Sequence, residues 1–404
     1  MIHHDVPRLE DEHTTLDGAG PKIFRISLVC GLIFLLLSFL LGNAEGDGLR
    51  RFSFSYLLNF AFFLSLSLGA LFFVAVQHLS RASWSVIVRR LAEILAVNLP
   101  LLALLALPIL LNLTKIYPWA AGESHGHDEL LIHKQSYLNP VFFILRWAGY
   151  FIVWCVYALY YWRRSLLQDK TGNPQLTIHM ETRSGPALVL FALTVTLASF
   201  DLLMSLDFTW FSTIFGVYFF AGGVVGFYAL MTLLTLWLQR IGRLAKIVTI
   251  EHYHDYGKLM FAFVFFWAYI AFSQYMLIWY SNISEETAWM LKRQQNGWGW
   301  MGVVLIFGHF LLPFAGLISR YAKRNRHLLA IWAVWIFVMH WMDMYWVVMP
   351  ELGLNRVPFH WLDITCFLGI GGIYIAGLAR TAGNRPLVPI QDPRLEDSLR
   401  FENA

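Results

Sequence analysis

Charge is scarce in this sequence. Only 14% of its 404 residues are Asp, Glu, Lys or Arg, against about 25% in soluble domains. With 58% hydrophobic residues and a mean hydropathy of +0.55, that shortage excludes a soluble enzyme, a fibrous protein and a disordered chain. Cysteine is scarcer still. Cys30, Cys155 and Cys366 sit far apart in apolar runs, a spacing that fits no disulfide framework, CxxC zinc site or cysteine-ligated iron–sulfur cluster. No C-x-x-C-H string occurs, so no covalently bound haem is expected. Residues 1–21 are polar and acidic, and no small-residue cleavage site follows the first apolar run, unlike a signal peptide. The first run therefore reads as a retained anchor. The net charge of +4 says little about partners beyond the lipid bilayer, and no nucleic-acid partner is expected.

What the sequence has is long apolar windows. About 20 such residues span a bilayer, and windows of that kind fall at 23–42, 54–76, 91–113, 140–161, 187–207, 211–238, 258–280, 298–318, 328–348 and 360–378. These predict an all-α polytopic membrane protein with about ten transmembrane helices, numbered 1 to 10. Helices 2–5 and 6–9 form two four-helix bundles in this reading, with helices 1 and 10 beside them. The chain divides into an N-terminal segment 1–22, a membrane domain 23–380 and a C-terminal tail 381–404, read as an interaction arm. Helices 5 and 9 take equivalent places in the two bundles. Each carries an outer-half Asp followed by aromatics: Asp201 before Trp210, and Asp343 before Tyr345 and Trp346. This suggests an internal parallel repeat.

An even number of spans puts both termini on one side, and Lys and Arg decide which. Twenty-two of them fall in segments on the terminal side and 8 on the other, so both termini are expected in the cytoplasm. Reporters fused after Ala404 and within 165–184 should report the cytoplasm, and one within 114–139 should not. A periplasmic C-terminus would overturn this orientation. The 114–139 loop also holds Glu123, His125, His127, Asp128, Glu129 and His133. It reads as a solvated loop that docks on a partner, with a metal site as the alternative for a His-rich tract.

A charge at mid-bilayer costs about 2.5–3.5 kcal/mol on insertion scales, so each one kept there needs a use or a partner. Arg146, Asp201, Asp207, Gln274, Tyr275, His309, His340, Asp343 and Asp363 all lie in the membrane windows or at their ends, most in the outer half. His340 and Asp343 share a helix face, and an imidazole beside a carboxylate relays protons near neutral pH. These nine residues are candidates for a proton path or a quinone site. The alternative is a set of interhelical hydrogen bonds and ion pairs. On the inner side, Glu93, Glu251, His252, His254, Asp255 and Lys258 are candidates for proton uptake, or a solvated loop at the start of helix 7. Only His309 and His340 are deep enough to ligate a b-type haem. No metal ligand set is read from the sequence.

Four strings and the tail carry a resemblance. They are Asp201-Leu-Leu-Met-Ser-Leu-Asp207 with Trp210 to Tyr218; Ser273 to Asn282 with Glu285-Glu286; His309-Phe-Leu-Leu-Pro313; His340-Trp-Met-Asp343-Met-Tyr-Trp346; and Asp392 to Asn403. Together they resemble the NrfD-like (polysulfide-reductase-type) membrane subunits over nearly the whole chain. The resemblance implies ten helices in a bacterial inner membrane. It implies a multi-subunit quinol:electron-acceptor oxidoreductase with a sister NrfD-like subunit, an iron–sulfur protein and c-type haem subunits. The expected role is a proton path, with quinone or quinol as a possible ligand. A secondary transporter and a purely structural scaffold are the competing functions. Transporters pair Gly or Pro interruptions at matching points of two halves; here Gly222-Gly223 and Gly369 with Gly371-Gly372 interrupt helices 6 and 10, which do not match. Isolated from partners, the chain is expected to show no haem Soret band. Stoichiometric b-type haem would instead place one on His309 and His340.

Overall fold

The computed structural model describes residues 9, 12–122, 128–354 and 356–403, with only the backbone at Asp128. Glu123, His125 and His127 of the His-rich loop lie outside the described residues. All regular structure among those described is helical. Among the described residues, ten helices are long and apolar enough to cross a membrane: α1 Ala19–Ala44, α2 Arg50–Leu79, α3 Val86–Leu111, α4 Pro140–Thr171, α5 Gln175–Leu206, α6 Phe215–Arg240, α7 Ile250–Ser281, α8 Trp298–Leu317, α9 Arg326–Leu352 and α10 Trp361–Ala382. They match the ten windows one for one. Several run past the apolar stretch, because a helix stops at its cap and not where hydrophobicity ends. Thr249 caps α7 with its side chain and Asn325 caps α9, as short polar side chains do for orphan N–H groups. α5 runs through Pro186 and begins well before the apolar window 187–207.

Helix α2 is the hub. It is buried along nearly its whole length and packs on α3, α5, α6, α9 and α10. Its Ser55, Ser65, Ser67 and Gly69 lie between bulky Phe and Leu. Lipid supplies no hydrophobic drive between helices, so small residues that let backbones approach decide where they meet. A Cβ on Gly69 would lie 2.7 Å from Phe227 Cβ and 3.0 Å from the Gly223 carbonyl of α6, so only glycine fits that crossing. From there α6 packs on α7 and α9. Helix α1 packs chiefly on α10 and otherwise presents Ile26, Leu32 and Leu36 outward.

Two sequence readings are corrected here. Gly222-Gly223 and Gly369 to Gly372 do not break their helices, since α6 and α10 are continuous through them. These glycines serve close packing instead. The tail is not a free arm. Asp392 pairs with Arg89 and Arg394 with Glu181. Ser398 Oγ donates to the Trp84 carbonyl at 2.7 Å, and Leu387 N donates to the Thr14 carbonyl at 2.6 Å. Both ends of the chain are thus strapped to one face, the terminal face below.

Candidate functional site

Two helices bring one cluster together. His309 comes from α8, His340 and Asp343 from α9, and all three are fully buried. Each offers a ligand-type atom within 4.8 Å of the others. Tyr218 of α6 donates its hydroxyl to Asp343 Oδ1, and Trp267 of α7 donates its indole N–H to Oδ2 at 3.2 Å. Asp343 therefore has two neutral donors and no ion-pair partner among the described residues. His340 Nε2 meets Ser65 Oγ of α2 at 2.8 Å. The space exists because α6 carries glycines: a Cβ on Gly226 would lie 2.5 Å from His340 Cδ2, and one on Gly222 3.3 Å from both His340 Nδ1 and Asp343 Oδ2.

His309 owes its place to a defect. Residues Ile306–Leu311 form a π-helical turn within α8. Pro313 has no N–H to return to the His309 carbonyl, which favours the wider turn here. The Gly308 carbonyl instead accepts the Trp335 indole N–H at 2.7 Å. Such turns recur at functional sites. The His309 ring lies 4.0 Å, centroid to centroid, from that of Trp267.

On the far side of Tyr218 and Trp267 is a cavity of about 550 Å³ between α7 and α8, within the usual range for ligand pockets. Its walls are mostly apolar. Gln274, Tyr275 and Arg293 add polar groups. Gln274 is buried, whereas Tyr275 is 41% exposed. Arg293 follows the Ser284–Lys292 helix. It lies 3.3 Å from the Trp289 ring centroid and pairs with Glu351 at 3.0 Å. Burial pulls its guanidinium pKa down to about 10, against the opposing pull of Glu351, so it stays cationic at neutral pH.

The other outer-half candidates sit elsewhere. Arg146 grips Asp201 with two bonds, at 2.8 and 2.9 Å, and Tyr150 donates to the same carboxylate at 2.9 Å. Asp201 and Asp343 thus both accept a tyrosine hydroxyl, but a cation neutralises Asp201 and an indole takes that place at Asp343. Asp363 caps α10 and pairs with Arg51 at 2.7 Å. Asp207 folds its own turn, accepting Thr209 N at 3.0 Å.

The terminal-face candidates make ordinary contacts. Glu93 pairs with Arg90 at 3.1 Å and Arg89 at 3.6 Å. Glu251 pairs with Arg324 at 2.5 Å, Asp255 pairs with Lys258, and His252 caps α7 with Thr249. His254 is buried beside them. Glu93 lies in α3; Glu251, His252, His254, Asp255 and Lys258 start α7 and are not in a loop, at the opposite end of that helix from Gln274.

Sequence reasoning missed Tyr218, Trp267, Ser65 and Arg293 as site residues. Tyr218 lies near a helix end, where aromatics read as an interfacial belt, and Trp267 lies mid-helix in an apolar run, where it reads as lipid-facing bulk. A signal was present: Trp267, Ala271 and Gln274 follow the i, i+4, i+7 spacing of one helix face, and all three line the cavity. No family model matches the sequence, and no curated protein matches it.

Proposed function

We propose that the chain is an NrfD-like membrane subunit of a bacterial inner-membrane quinol:electron-acceptor oxidoreductase, with both termini cytoplasmic. Within that class it takes the place of the smaller such subunit of alternative complex III. Haem and iron–sulfur centres belong to its partner chains, beside a sister NrfD-like subunit. Its own work is to hold a quinol head group and carry away the protons that oxidation releases. One observation carries this reading: Tyr218 and Trp267 line the cavity and both donate to Asp343.

The chemistry follows from that contact. A general base must lie within hydrogen-bond reach of the proton it takes, directly or through one intermediary. A quinol hydroxyl in the cavity hands its proton to the Tyr218 oxygen while Tyr218 hands its own to Asp343. Asp343 passes that proton to His340 or His309, the second quinol proton follows by the same relay, and the two electrons leave to the partner chains, which leaves quinone. Tyr218→Phe keeps the ring and deletes the relay oxygen. It is expected to lower quinol turnover of the assembled complex by about 100-fold, at the low end for general acid–base groups, with quinone binding retained. A wild-type rate would sink the relay.

A further inference from the structure

The protein itself leaves the imidazoles of the cluster largely unengaged. Both ring nitrogens of His309 and Nδ1 of His340 are buried with no hydrogen-bond partner among the described residues. Leaving a buried polar atom unpaired costs about 1–3 kcal/mol, and because each neutral imidazole has a single lone pair, one cation between the rings would engage one nitrogen of each. The Gly222 contact shows which way they face. His340 Nδ1 and Asp343 Oδ2 lie against the same bare stretch of α6, and a His309 nitrogen is within 4.8 Å of both residues' ligand atoms. Two imidazoles and one carboxylate are a donor set for a divalent transition metal.

The surroundings have the form that metal sites use. A ligating histidine usually engages its other ring nitrogen with a neighbour, which fixes tautomer and orientation, and a ligating carboxylate is itself hydrogen-bonded. Here Ser65 Oγ holds His340 Nε2 at 2.8 Å and leaves Nδ1 for the site. Tyr218 and Trp267 hold the carboxylate. We propose that His309, His340 and Asp343 form a binding site for a divalent transition metal of the zinc class. The sequence reading, which assigned no metal, missed it because the ligands lie on two helices with no local spacing motif. The metal takes the lone pairs that the proton needs, so binding excludes the relay and inhibits it.

The test uses the full chain, purified in mild detergent, stripped with a chelator and titrated with Zn²⁺ or Co²⁺. Bound metal is counted by elemental mass spectrometry, and Co²⁺ geometry is read from its visible absorption. One metal per chain is expected, with a low-coordinate cobalt spectrum. His309→Gln and His340→Gln should each abolish that spectrum. Ser65→Ala, which leaves every ligand in place and is the milder change should the His variants misfold, should weaken binding by about 10–100-fold, the usual effect of losing an outer partner. A loop variant with His125, His127 and His133 changed to Ala should bind as wild type. Metal that stays in the His309 and His340 variants, or that leaves with the loop histidines, would overturn the site. So would a chain that takes up none. These readouts need no quinol, so they fail or succeed apart from the relay.

Discussion

Asp343→Asn is expected to cut quinol-dependent turnover of the assembled complex by about 100-fold or more, the scale on which a positioned acid–base group acts, while assembly survives. The amide keeps the shape: its oxygen still accepts from Trp267, and its NH2 donates to the Tyr218 oxygen where the carboxylate had accepted. It removes only the capacity to take a proton. No cation faces this carboxylate among the described residues, so neutralising it strands no opposite charge. Turnover is normalised to the haem of the proposed partner chains, with proton release followed in parallel. Wild-type values for both would leave the cluster as interhelical glue and favour the scaffold reading.

Asp201→Asn should behave in the opposite way. Asp201 is fully buried and gripped by Arg146, whose side chain is only 9% exposed. Removing one partner of a buried pair leaves the other charge uncompensated and costs about 3–5 kcal/mol. Yield and thermal stability of the chain should therefore fall, and whatever assembles should turn over normally per haem. The double change Arg146→Met with Asp201→Leu should restore much of the stability, because well-packed apolar pairs often replace buried ion pairs at no cost. Failure of the double variant to recover would mean that Tyr137 and Phe142, stacked on Arg146 at 3.8 and 4.4 Å, need the guanidinium itself.

The contrast between these two aspartates marks how far the sequence could be read. Both stood out as carboxylates in apolar windows, and the ten windows themselves were plain because lipid enforces length and hydropathy together. Which aspartate is paired was not legible. Arg146 lies 55 positions from Asp201, and nothing in either segment encodes that facing. His309 and His340 were legible as buried polar residues, but their convergence depends on a π turn that no periodicity announces. Tyr218 and Trp267 were hidden among 17 Tyr and 17 Trp, which carry no charge to mark them in an apolar window. The tail was misread because it has no apolar run. Its docking rests on single polar residues such as Asp392 and Ser398, each meeting a partner from a distant segment.

In the proposed relay a quinol in the cavity passes a proton through Tyr218 to Asp343. Infrared difference spectroscopy of the assembled complex, reduced and oxidised with a short-tailed quinone, reads carboxyl protonation directly. The account predicts a carboxylic C=O band that changes with quinone redox state, disappears in Asp343→Asn and persists in a variant at an exposed carboxylate such as Glu285→Gln. A difference spectrum identical in wild type and Asp343→Asn would contradict it.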